Sequence, residues 1–244
     1  MSNWKFCCRV RSIRLVYIYM CSFRPKHLAH IEHILFYVFY IPMYICIYIL
    51  SGDFHYLATH DSWRWMNRAI EKAKLAQVED KIQFEKIDCR TYGFTTTFDL
   101  ALMLDFSISR IHALDELAYL LYNTFEALTP GGLFIFEHFT PYNSIEFATK
   151  FDDGGPGPFE NSWFRRTDHY EAHHQTQISK FEMQHGPISN VEMMYWRAWH
   201  VDQIQGLIDC TDFEKVEAID LSTGDPASQR SLTVMWILRK PRPV

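Results

Sequence analysis

The sequence predicts an α/β domain on a mostly parallel sheet, and three observations carry that expectation. Short apolar strands alternate with amphipathic helical stretches from residue 54 to 138. The run Phe98-Asp99-Leu100-Ala101-Leu102-Met103-Leu104 is nearly continuously apolar, as a strand covered on both faces must be. Thr129-Pro130-Gly131-Gly132 separates a long helical pattern from the next strand. A chain of 244 residues, 48% of them hydrophobic, supports one ordinary core and not two comfortable ones. The formal charge of −5 gives no reason to expect a nucleic-acid partner. Six cysteines without a CxxC pair indicate neither a zinc knuckle nor a disulfide framework.

Residues 1–50 differ in kind from the rest. Lys5, Arg9, Arg11, Arg14, Arg24 and Lys26 face the single acid Glu32, so this stretch carries +5 and the remainder −10. It holds Cys7, Cys8, Cys21 and Cys46 and no glycine, and from Ile34 to Leu50 only Pro42 breaks an apolar run. Three readings compete. The run at 34–50 is at the short edge of a membrane span, with upstream basic residues. Its Tyr, Ile, Val and Phe also suit buried strands. Finally, Tyr44-Ile45-Cys46-Ile47-Tyr48-Ile49 is what an alternating AT tract encodes, and Val16-Tyr17-Ile18-Tyr19-Met20 has the same character, so 1–50 reads as translated intron or upstream sequence. On that reading 34–50 fills a missing first strand or projects as an apolar helix, and 1–33 packs poorly.

From Ser51 the elements follow in order. Phe54–Thr59 reads as a strand ending at the helix-capping pair Asp61-Ser62. Met66, Ala69, Ile70 and Ala73 fall on one helical stripe. Ile82, Phe84 and Ile87 mark a strand that ends in Asp88, and 98–104 is the next. Leu114, Leu117, Ala118, Leu121, Phe125 and Leu128 predict a long helix with those residues inward. Pro130 presets φ and Gly131 supplies a positive φ for the turn into the strand Leu133–Glu137. Beyond Phe139 the pattern changes: 151–158 reads as a Gly/Pro loop, 166–196 as three polar-faced strands, and Val201–Ile208 as a short helix. Phe213–Ile219 and Leu232–Leu238 read as closing strands, the latter with Leu232, Val234 and Trp236 on one face and Met235 and Ile237 on the other. Parallel sheets bind ligands at the carboxyl ends of their strands, where Asp61, Asp88, Asp105 and Glu137-His138 fall.

Over about 56–240, and most clearly 56–138, these residues resemble the class I S-adenosylmethionine-dependent methyltransferases. Ala58-Thr59-His60-Asp61-Ser62 is similar to the second-strand motif, and the resemblance implies that Asp61 grips the cofactor ribose. Phe84-Glu85-Lys86-Ile87-Asp88-Cys89 is similar to the third-strand motif, implying that Asp88 and Cys89 lie at the adenine. Phe98-Asp99-Leu100 and Leu128-Thr129-Pro130-Gly131-Gly132-Leu133 resemble the fourth-strand start and the turn before the fifth. The resemblance implies a Rossmann-like sheet of order 3-2-1-4-5-7-6, mostly parallel with one antiparallel strand. It also implies S-adenosylmethionine as cofactor, with Asp105 near the methyl donor. The family's glycine-rich loop should precede Asp61 by about 20 residues, but the nearest upstream glycine is Gly52. The "aGF" expected before the sixth strand is Cys210-Thr211-Asp212-Phe213.

Each candidate residue has a plainer role to set beside the functional one. Asp61 is also a helix cap, while Asp88 and Asp105 are also ordinary solvated strand ends. His138, placed to act as a general base on a hydroxyl acceptor, is also an ordinary structural histidine. Trp163, Tyr170, Trp196 and Trp199 read as pocket lining or as core. His169-Tyr170-Glu171-Ala172-His173-His174 lies on a strand, where i and i+4 are about 13 Å apart, a poor metal spacing. The sequence therefore reads as a domain at 51–240 with a substrate cover at about 139–200, and the resemblance implies methyl transfer to a small-molecule O or N acceptor, in the cytoplasm. The alternatives are a non-catalytic truncated remnant and a form anchored in a membrane through 34–50.

Overall fold

The computed structural model describes residues 14–18, 55–60, 67, 70–71, 73–75, 77, 79–86, 88, 90, 97–104, 106–148, 152–156 and 162–243. Along these the chain forms β1 (Arg14–Ile18), β2 (His55–His60), β3 (Ile82–Lys86), β4 (Phe98–Met103), α1 (Leu114–Ala127), β5 (Leu128–Phe139) and α2 (Pro141–Ala148). It continues through β6 (Asp152–Pro156), β7 (Ser162–Glu171), β8 (Thr176–His185), β9 (Ile188–Arg197), α3 (Val201–Asp209), β10 (Glu214–Asp220) and β11 (Thr233–Arg239).

Seven strands make one sheet in the order β10-β11-β5-β4-β1-β2-β3. A single row crosses it through Phe84, Ala58, Tyr17, Leu102, Ile135 and Ile237. The pairs β3–β2, β2–β1, β1–β4 and β4–β5 are parallel, and β11 runs antiparallel to both β5 and β10. This is the expected strand order, with the one antiparallel strand where it was expected. The central position, however, is held by Arg14–Ile18 and not by any residue of 34–50, which lies outside the described residues. A parallel pair needs its ladder filled on both sides, and this β-rich stretch supplies the partner.

Beside the mostly parallel sheet stands a second, four-stranded antiparallel sheet, β6-β7-β8-β9. It grows from the three polar-faced strands, which pair in hairpin succession. Asp152–Pro156, expected as loop, is its edge strand, paired from Asp152↔Thr167 to Pro156↔Trp163. Glycine and proline are tolerated there because an edge has one hydrogen-bonding side to satisfy.

The core lies between one face of the large sheet and α1 and α3. Met103, Phe134, Phe136 and Trp236 pack there with Leu117, Leu121, Trp199, Ile204 and Ile208. The helix α1 is rotated from the expected stripe. Leu114 is 46% exposed, while Leu120 and Thr124 are buried. α3 opens with a capping box in which the His200 backbone N–H donates to Gln203 Oε1 at 2.9 Å. At the entry to β5, Gly131 has φ +87° and its N–H donates to the Lys240 carbonyl at 2.8 Å. A Cβ on Gly132 would lie 2.8 Å from the Thr129 carbonyl oxygen, so the turn requires glycine at that position too.

Candidate functional site

The carboxyl edge of the parallel strands is where the sequence placed its candidate site. Three of the five candidates, Asp61, Cys89 and Asp105, lie outside the described residues. The other two are Asp88 and His138, and the structure gives each a specific environment.

Asp88 follows β3 and is gripped by Arg90. Its Oδ1 accepts from Arg90 Nε at 2.9 Å and from the Arg90 backbone N–H at 3.0 Å, and its Oδ2 accepts from Nη2 at 2.7 Å. Arg90 Nη1 also donates to Glu116 Oε1 of α1 at 3.3 Å. The Arg90 side-chain bonds hold the Asp88 carboxyl below its usual pKa, against an opposing push from burial. Both oxygens thus serve a guanidinium fork. An adenine amino group would have to share lone pairs that the fork already uses.

Glu137 and His138 are neighbours on β5 and point to opposite faces. Glu137 is fully buried, and its Oε1 accepts from the Phe106 backbone N–H at 3.3 Å. Phe106 itself holds a left-handed φ of 55°. This carboxylate therefore pins the loop after β4 to the end of β5. His138 faces the core, with its ring 6.3 Å from that of Trp236. It is fully buried, and neither ring nitrogen has a hydrogen-bond partner among the described residues. Burial pushes its pKa down to about 3. A base must touch its substrate, and an imidazole sealed against Trp236 does not. The expected catalytic role for His138 has no support in this geometry, because β-strand alternation turned it inward while Glu137 took the other face.

The four aromatics singled out in the sequence do not converge. Trp163 is 42% exposed, and Trp199 belongs to the main core. Tyr170 and Trp196 instead pack with Phe139 and Ala198, joined by Phe106 and Met194. This cluster is the seam where the antiparallel sheet meets the carboxyl edge of β4 and β5. One polar network passes beneath the cover: Arg166 Nη2 pairs with Asp168 Oδ2 at 2.7 Å, Gln177 Nε2 donates to the same oxygen at 3.2 Å, and Ser144 Oγ of α2 donates to Gln177 Oε1 at 3.2 Å. No local pattern announces these partners, since they come from three elements. An Arg and an Asp two apart on one strand face were the only available hint.

Neither a family profile nor a curated protein matches the sequence. Solved structures do match in shape. A S-adenosylmethionine-dependent methyltransferase from Clostridium acetobutylicum superposes with TM-score 0.70 at 13% identity, over 95% of this chain and 85% of that one. The CcbJ methyltransferase from Streptomyces caelestis gives 0.65 at 13% identity, over 77% of this chain and 75% of its own. The sugar N-methyltransferase KedS8 from Streptoalloteichus gives 0.63 at 14% identity, over 96% and 82%. The chain has the class I methyltransferase fold.

Proposed function

We propose that this chain descends from methyltransferases acting on a small-molecule O or N acceptor, and that its acceptor side is better preserved than its cofactor side. The single observation that supports this is the pairing of the complete 3-2-1-4-5-7-6 sheet with an antiparallel sheet over its carboxyl edge. A cover of that kind encloses small molecules and leaves little room for a protein or nucleic-acid surface. When bound, S-adenosylmethionine supplies a sulfonium-activated methyl group.

The residues present fit that cofactor only in part. Asp61, Asp88, Cys89 and Asp105 are the proposed cofactor contacts, with Asp88 committed to Arg90. Between Ile18, the end of β1, and Gly52 the sequence has no glycine. Every residue there carries a Cβ, which obstructs the close backbone approach that the methionine end requires. We therefore expect S-adenosylmethionine binding no tighter than roughly millimolar, near −4 kcal/mol. Calorimetric titration tests this, and micromolar binding would show the glycine loop to be dispensable. The same missing glycines favour a second reading, a non-catalytic remnant, which predicts no methyl transfer to any acceptor.

Among the described residues no helix is long and apolar enough to cross a membrane. An anchor at 34–50 and a cytoplasmic location stay as proposals, and detergent dependence of solubility tests the former.

A further inference from the structure

At the seam, Arg110 and Arg197 each keep one buried guanidinium nitrogen without a hydrogen-bond partner. Arg110 ends the 3-10 turn Ser107–Arg110, just beyond β4, and its guanidinium lies 5.0 Å over the Trp196 ring. Its Nη1 is buried without a hydrogen-bond partner, and no carboxylate among the described residues pairs with it. Arg197, at the end of β9, lies 5.0 Å over the Trp199 ring. Its Nη1 donates to the His174 carbonyl, while its Nε is buried and unpartnered. His112 Nε2 lies 3.3 Å from the Tyr195 carbonyl oxygen. Burial lowers the His112 pKa most, the bond to the Tyr195 carbonyl and the Glu116 charge oppose this, and the charges of Arg110 and Arg197 lower it further.

A desolvated guanidinium nitrogen with nothing to donate to is costly, and native structures keep such groups where a partner arrives from outside. Arg110 lies over the Trp196 ring with its Nη1 buried and unpartnered, a donor held ready for an acceptor. That is the arrangement by which arginine recognises carboxylate and phosphate. We propose that Arg110 forms an oxyanion subsite that holds a carboxylate or phosphate group of the ligand bound beneath the cover sheet. Calling that ligand a methyl acceptor rests on the function proposed above, whereas the anion site does not. Trp196, over which Arg110 lies, packs with Phe139 and Tyr170.

The test is calorimetric titration of the full chain at low salt with inorganic phosphate and, separately, with acetate, chloride serving as the background anion. One-site binding of phosphate or acetate above the chloride background is expected, and the stronger of the two identifies the source. Arg110→Gln should weaken it about tenfold or more, the effect of losing charge-assisted bonds. Arg110→Lys keeps the charge without the fork and should recover only part of the affinity; it carries the test if the glutamine variant fails to fold by its thermal midpoint. Absence of binding by both anions, or undiminished binding in the folded variant, overturns the proposal. Titration with S-adenosylmethionine is scored apart: micromolar binding would overturn the expected weak cofactor affinity and leave the anion site untouched.

Discussion

Two arginine–aspartate pairs of the same local design sit in different surroundings, which makes their energies predictable by contrast. Arg90–Asp88 and Arg166–Asp168 are both separated by two residues and both close to 2.7 Å. The first pair has side-chain exposures of 37% and 38%, the second 14% and 3%. Exposed pairs are screened and yield about 0.2–1 kcal/mol of coupling. Removing one member of a buried pair costs about 3–5 kcal/mol, because the other charge stays desolvated. Asp168→Ala should therefore lower stability by about 3 kcal/mol or more, since Gln177 also loses its acceptor. For a chain of this size that corresponds to a fall in thermal midpoint of roughly 6–12 °C. Asp88→Ala should cost about 1 kcal/mol or less. Double-mutant cycles with Arg166→Met and Arg90→Met, read by urea denaturation, isolate each coupling. The double variant Asp168→Ala/Arg166→Met should recover much of the single loss, since an apolar replacement leaves no charge behind. Equal couplings in the two cycles would refute the view that burial sets the difference.

Burial also predicts a pH dependence. The His138 pKa is lowered to about 3 in the folded chain, against about 6.5 when unfolded, so below 6.5 the unfolded state binds the extra proton. Stability should fall by about 1.4 kcal/mol per pH unit below that point, and His138→Phe should lose about 2 kcal/mol less between pH 7 and pH 5. Matching pH profiles for the two proteins would contradict this. Asp88 acts in the same sense over a more acid window: its lowered pKa stabilises the fold above about pH 4, and that contribution disappears as pH falls through its folded value. Gly132→Ala drives a Cβ to 2.8 Å from the Thr129 carbonyl oxygen and should cost roughly 1–3 kcal/mol, while Gly155→Ala, with nothing within 4 Å, should change stability by less than about 0.5 kcal/mol by the same denaturation assay.

The sequence alone determined those features that depend on neighbours in the chain. The apolar run at 98–104, the helix at 201–209 and the two-faced strand at 233–239 all follow from local period and punctuation, and the structure contains each of them, whereas Thr129–Gly132, expected as a turn, lies within β5 as an irregularity in its pairing with β4. Tertiary structure decided what depends on distant partners. Arg14–Ile18 reads as unselected sequence in isolation, and becomes the central strand only because β2 and β4 present ladders on either side. Asp152–Pro156 reads as loop until β7 offers it an edge. His138 was nominated by its position at a strand end, a one-dimensional property, and was turned inward by the register that pairs it with Val234. Arg110 drew no notice because nothing local distinguishes it; its isolation among apolar and aromatic groups exists only after β9 folds back over the β4 loop. Burial and the pairing of charges are sums over elements far apart in the chain, so a site made of them becomes legible only once the chain has folded.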